Sequence, residues 1–129
     1  MNSDERLPLR LLIVVPEQEG ESAVERQLGR VTSRRLEVAG RAFTETQALQ
    51  RYFQCAPDVV VLDCGLVPAE PARLVGLLKR MAPGSVIIVL VSAEDSVAAR
   101  AARALGADAV GVLDDLPALL DTLAATDAA

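Results

Sequence analysis

Short β-branched runs alternate with longer segments of helical period along this chain, and that pattern confines it to a parallel sheet covered by helices on both faces. Five strand-then-helix repeats are present. The first run, Leu11-Leu12-Ile13-Val14-Val15, is halted by Pro16, which has no N–H to give a central ladder. Val24, Leu28 and Val31 then recur at spacings of four and three, predicting a helix over about residues 21–34. Leu36 to Phe43 supplies a second strand. Thr44 and Gln47 stand at capping-box spacing ahead of Leu49, Tyr52 and Phe53, the apolar residues of a second helix.

Val59-Val60-Val61-Leu62 has no polar interruption, as suits a strand buried on both faces, and Asp63 is the first polar group beyond it. Cys64 to Glu70, with Gly65 and Pro68, reads as a loop. Pro71 suits the first turn of a helix whose inward face is Leu74, Leu77, Leu78 and Met81. Pro83-Gly84 ends that helix before Val86 to Val91, a fourth strand that stops at Ser92. An alanine-rich helix follows from Glu94 to Leu105, with Gly106 as its C-terminal cap, then a short strand from Ala109 to Leu113. Asp114 or Asp115 caps the last helix, which faces inward through Leu116, Leu119, Leu120 and Leu123. A chain of 129 residues carries one such domain, expected over 10–125, with a disordered N-terminal segment 1–9 and a tail 126–129.

Composition narrows the function. Thirteen basic against eighteen acidic residues give a net charge of −5, which repels phosphate backbones and anionic membranes, so neither nucleic acid nor membrane is an expected partner. The absence of histidine removes Ser/His/Asp triads, imidazole metal sites and phosphohistidine. Cys55 and Cys64 form neither a disulfide framework nor a CxxC site; both read as small apolar fillers, and a reducing cytoplasm fits. No apolar stretch reaches the roughly 18 residues of a membrane span. Neither GxGxxG nor GxxxxGK[ST] occurs, and Glu70 stands where a CxxxxxR loop after Cys64 needs arginine.

In a doubly wound sheet, polar groups at the carboxyl ends of the strands converge in one crevice. Five are available: Glu17, Asp63, Ser92, Asp114 and Asp115. A carboxylate at a strand tip can attack phosphorus as an oxygen nucleophile; its bland alternative is a polar residue that ends a buried strand.

Pro57-Asp58-Val59-Val60-Val61-Leu62-Asp63, then Ser92-Ala93, then Gly106-Ala107-Asp108 resemble the landmarks of a response-regulator receiver domain, over about residues 10 to 125. The resemblance implies a flavodoxin-like (βα)5 fold, an α/β doubly wound sandwich with a parallel five-stranded sheet of order 2-1-3-4-5. It makes Asp63 the phosphoacceptor candidate, Ser92 the hydroxyl that contacts the phosphoryl group, and the Gly65 carbonyl a candidate metal ligand. It also exposes departures. Val15-Pro16 occupies the place of the adjacent acidic pair that holds Mg2+, and Glu17 lies one or two positions late, where it fits a solvated first-turn cluster with Glu19 and Glu21. Leu113 occupies the place of the lysine that pairs with phosphoryl oxygens, Asp114 that of the following proline, and Val110 that of the switch aromatic. The sole lysine, Lys79, falls in the third helix, and Arg100 and Arg103 fit surface positions better than the lost role.

The resulting expectation is an atypical or pseudo-receiver: a two-component or phosphorelay signalling module, not an enzyme, weakly phosphorylated or not at all. It would need no cofactor, Mg2+ entering only if the acidic pocket is rebuilt. Expected partners are a histidine kinase, a phosphotransfer or an output protein, with a homodimer through 94–125. Two alternatives stay open: a working phosphoacceptor with a metal site rebuilt from Glu17, Asp63 and Asp114 or Asp115, and a small α/β module binding a nucleotide or anion in the same crevice.

Overall fold

The computed structural model describes the backbone of residues 7–15, 18–32, 34–63 and 71–128. Strands and helices alternate as β1 (Leu9–Val14), α1 (Gln18–Leu28), β2 (Leu36–Ala42), α2 (Glu45–Cys55), β3 (Val59–Asp63) and α3 (Pro71–Met81). They continue as β4 (Val86–Leu90), α4 (Val97–Ala104), β5 (Ala109–Gly111), a 3-10 turn (Leu113–Asp115) and α5 (Leu116–Ala128). The five strands pair in the order β2-β1-β3-β4-β5, every pair parallel, which is the flavodoxin-like arrangement expected from the sequence.

Period-2 alternation sends the strand residues into two separate cores. Leu12, Val14, Val60, Leu62, Ile87, Val89 and Val91 pack against Ala48, Leu74, Val75, Leu78, Ala99 and Ala102, the inward faces of α2, α3 and α4. Leu9, Leu11, Ile13, Val15, Val59, Val61, Ile88 and Leu90 pack against Val24 and Leu28 of α1 and Leu116 and Leu120 of α5. Coverage on both sides is why Leu11–Val14 of β1, Val59–Leu62 of β3 and the whole of β4 carry no polar interruption. Each fully buried leucine or isoleucine contributes about 1.5–3 kcal/mol relative to exposure.

Local chemistry sets the boundaries. Thr44 caps α2 by accepting from the Gln47 N–H at 3.1 Å, as the spacing predicts, while the Gln47 side chain reaches one residue beyond the cap and accepts from the Phe43 N–H at 2.9 Å. β1 begins at Leu9, inside the segment expected to be disordered, because the Leu9 N–H bonds to the Arg35 carbonyl and its side chain is buried. α1 ends at Leu28, short of the expected 34, where Gly29, Arg30 and Val31 close the last turn onto Glu25, Gln27 and Leu28. α4 starts at Val97 and not near Glu94, because Ser96 takes the N-cap and accepts from the Ala99 N–H at 3.1 Å. Gly106 follows α4 at φ 106°, a conformation that suits glycine. α5 runs on to Ala128, into the expected tail. Two expected core residues are not in it: Met81 and Phe53 are exposed, and Val75 and Ala48 take the inward positions on their helices.

Candidate functional site

Asp63 is the last residue of β3, opposite Leu90 of β4 in the ladder. On its other side Val14 pairs with Leu62, so Val15 stands one step on, level with Asp63. Val15 is fully buried within the α1/α5 core, its N–H bonded to the Ala42 carbonyl at 3.0 Å. Ser92 lies two residues beyond β4 and is exposed, above Val91, whose N–H bonds to the Gly111 carbonyl at 2.8 Å. The topology therefore brings Asp63 and Ser92 to the ends of neighbouring strands, as expected, but flanks the carboxylate with two apolar side chains, Val15 and Leu90.

The remaining expected positions are drawn elsewhere. Leu113 opens the 3-10 turn and packs partly into the α1/α5 core, while Val110 packs against the opposite core beneath α2, α3 and α4. Asp114 turns toward α1, where the Gln27 side-chain amide approaches its carboxylate at 3.5 Å. That contact is with a side chain and not with a backbone N–H of α5. Asp115 holds the turn through its N–H to the Val112 carbonyl at 2.9 Å, and Val112, the residue that opens the turn, makes no side-chain cap. The expectation that one of this pair caps α5 is thus replaced by a turn built on backbone bonds. Pro16, Glu17, Cys64 and Gly65 lie outside the described residues.

The cations are placed just as plainly. Lys79 donates to Asp108 at 2.7 Å and to the Ser85 carbonyl, at the amino-terminal edge of β4 and β5, the far end of the sheet from Asp63. Arg100 and Arg103 reach back to the carbonyls of Asp95 at 2.8 Å and Glu94 at 3.0 Å, fastening the loop after Ser92. Magnesium requires near-octahedral oxygen coordination. Among the described residues no group of three carboxylate, thiol or imidazole side chains gathers to hold a metal ion, and the buried valine beside Asp63 does not fit one.

Two residues that gave the sequence its resemblance do their work at the opposite end. Asp58 accepts from the Arg10 N–H at 2.8 Å and returns its own N–H to the Arg10 carbonyl at 2.8 Å, tying the entry of β3 to β1. Asp108 does the same with Ile87, at 2.8 and 2.9 Å, tying β5 to β4. The readable signal was positional: each aspartate immediately precedes an apolar strand. Cys55, expected as a filler, also bonds through its thiol to the Ala39 carbonyl at 3.2 Å, beside the register shift between Leu11 and Leu12. Gly40 is required there, since a Cβ would sit 2.7 Å from the Cys55 sulfur.

No family model matches the chain, and no curated protein matches it in sequence. Solved structures do match in shape. The isolated receiver domain of RcsB from Salmonella enterica serovar Typhimurium, with the phosphomimetic BeF3-, superposes with TM-score 0.78 at 18% identity, covering 92% of this chain and 90% of that one. The receiver domain of the putative response regulator NarL from Mycobacterium tuberculosis gives TM-score 0.76 at 17% identity, covering 95% and 98%. The non-phosphorylated receiver domain of RcsB from Escherichia coli gives 0.74 at 18%, covering 94% of each. The chain therefore has the fold of response-regulator receiver domains over more than nine-tenths of its length.

Proposed function

We propose that this chain is a pseudo-receiver: a signalling module of two-component type that works by binding proteins, with Asp63 phosphorylated weakly or not at all. One observation carries the reading: the residue level with Asp63, one step beyond β1, is Val15, wholly buried in an apolar core. The confinement of Lys79 to the far edge adds to it. Phosphoryl transfer depends on cations that neutralise charge on the equatorial oxygens, and each such partner removed costs about 3 kcal/mol of barrier. Its partners are a histidine kinase, a phosphotransfer protein or an output protein in the cytoplasm, and it needs no cofactor. The face spanning 94–125 suits a second copy of the chain, since Val97 and Leu105 are exposed apolar residues on it.

Incubation with acetyl phosphate and Mg2+, followed by intact mass spectrometry of the wild type and Asp63→Asn, tests the proposal. Modification slower by about a thousandfold or more than in a receiver with the full acidic pair and lysine is the expected result. Rapid stoichiometric phosphorylation of the wild type, absent from Asp63→Asn, overturns it.

A further inference from the structure

The side of α1 that meets the 3-10 turn holds an arrangement separate from Asp63. Ala23, Arg26, Gln27 and Arg30 line a cavity of about 200 Å3, and Leu113 forms its other wall. Arg26 stands in the last turn of α1 and Arg30 in the turn that closes it, and both border this one cavity. Both are exposed, and among the described residues neither makes an ion pair. The Gln27 amide is oriented by Asp114, whose carboxylate faces its nitrogen at 3.5 Å. That leaves Gln27 Oε1 shielded from solvent with no donor.

The cavity thus presents two charged donors, one acceptor without a partner, and apolar walls from Ala23 and Leu113. We propose that it seats an acidic side chain of a partner polypeptide, the carboxylate on Arg26 and Arg30 and an N–H of the same segment on Gln27 Oε1. A phosphomonoester dianion satisfies the guanidinium groups equally well but brings no donor for Gln27, and inorganic phosphate brings only its single O–H, without the aliphatic stem that the apolar walls would cover. The cavity is also smaller than the roughly 300–1,000 Å3 of cofactor sites, and matches a single side chain with its aliphatic stem against Ala23 and Leu113. In a chain of net charge −5 this pair is a local exception, which makes it a selective contact and not a long-range attractor. The inference deepens the interaction reading by naming the partner's chemistry. Phosphorylation of Asp63 would overturn that reading and leave this one standing, and a failure here would leave the other intact.

Amide NMR titration of the 15N-labelled full chain tests it, using an acetylated and amidated tetrapeptide with two central glutamates, the glutamine analogue of that peptide, and inorganic phosphate. The glutamate peptide is expected to move the signals of Ala23, Gln27 and Leu113. The exposed double variant Arg26→Gln/Arg30→Gln, with its remaining spectrum unchanged, should bind about tenfold more weakly. Equal shifts from the glutamine peptide, equal shifts from phosphate alone, or undiminished binding by the double variant each overturn the assignment.

Discussion

The two ends of the sheet are built on opposite principles. At the amino-terminal edge, Asp58 and Asp108 each lock a strand entry to its neighbour by a reciprocal backbone pair, and Lys79 neutralises Asp108 from α3. At the carboxyl end, Asp63 stands between Val15 and Leu90, and Leu113 packs into the α1/α5 core. Among the described residues, charge holds strands together at one end, while at the other the positions on either side of Asp63 are apolar. Receiver domains share the overall fold of this chain at 17–18% identity, and that shared shape alone does not report which end of the sheet carries chemistry.

The largest test of that contrast places a charge at the buried apolar position beside Asp63. Val15→Asp puts a carboxylate into a fully buried apolar site and is expected to cost about 4 kcal/mol in urea unfolding. Leu113→Lys, at a half-buried position from which a long side chain reaches water, is expected to cost about 1 kcal/mol. A loss below about 1 kcal/mol for Val15→Asp would show that the crevice accepts a carboxylate beside Asp63 after all.

At the opposite edge the sign of the dependence reverses, because there a charge must stay. Asp108→Ala removes the acceptor of the Ile87 N–H and strands the half-buried Lys79, and should cost about 3 kcal/mol. Asp108→Asn keeps an acceptor for Ile87 and loses only the ion pair, so about half of that loss is expected. Ser92→Ala, exposed at the carboxyl end, should fall within about 0.5 kcal/mol of wild type. Equal losses for Asp108→Ala and Ser92→Ala would erase the distinction between the ends.

The same contrast explains what the sequence made legible. Apolar runs without interruption, such as Val59 to Leu62, announce double coverage and hence the parallel sheet, because burial on both faces leaves no other choice of residue, while the strand order came from the resemblance to receiver domains. The substitution at Val15 was legible too, since a β-branched residue closing an apolar strand continues its burial. Asp114 was not, because its direction depends on a one-turn helix formed by backbone bonds, and nothing in Leu113-Asp114-Asp115 distinguishes that turn from a strand end followed by a cap. Nor was the start of α4, where Glu94, Asp95 and Ser96 all suit a helix entrance and only the Ser96 hydroxyl reaches a backbone N–H. The role of Asp108 hid behind its usefulness as a landmark: the residue reads as a family signature, while its side chain is a strand clamp.

The smallest test asks whether the amino-terminal edge is fastened as tightly as its aspartates suggest. Ala56, between α2 and Pro57, takes φ 47° and ψ 60°, a left-handed conformation that costs a residue with a Cβ about 1–2 kcal/mol. Its N–H still closes α2 onto the Tyr52 carbonyl at 3.0 Å, so the conformation is imposed by the turn that delivers Asp58 to Arg10. Glycine removes the steric cost there but adds freedom to the unfolded chain worth about 0.4–1 kcal/mol, opposing the gain. Ala56→Gly is therefore expected to raise stability by about 0.5 kcal/mol, read as a higher urea midpoint at unchanged slope. A drop in the midpoint would mean that the Asp58 clamp, and not the helix end, sets this backbone, and that its rigidity depends on the alanine side chain.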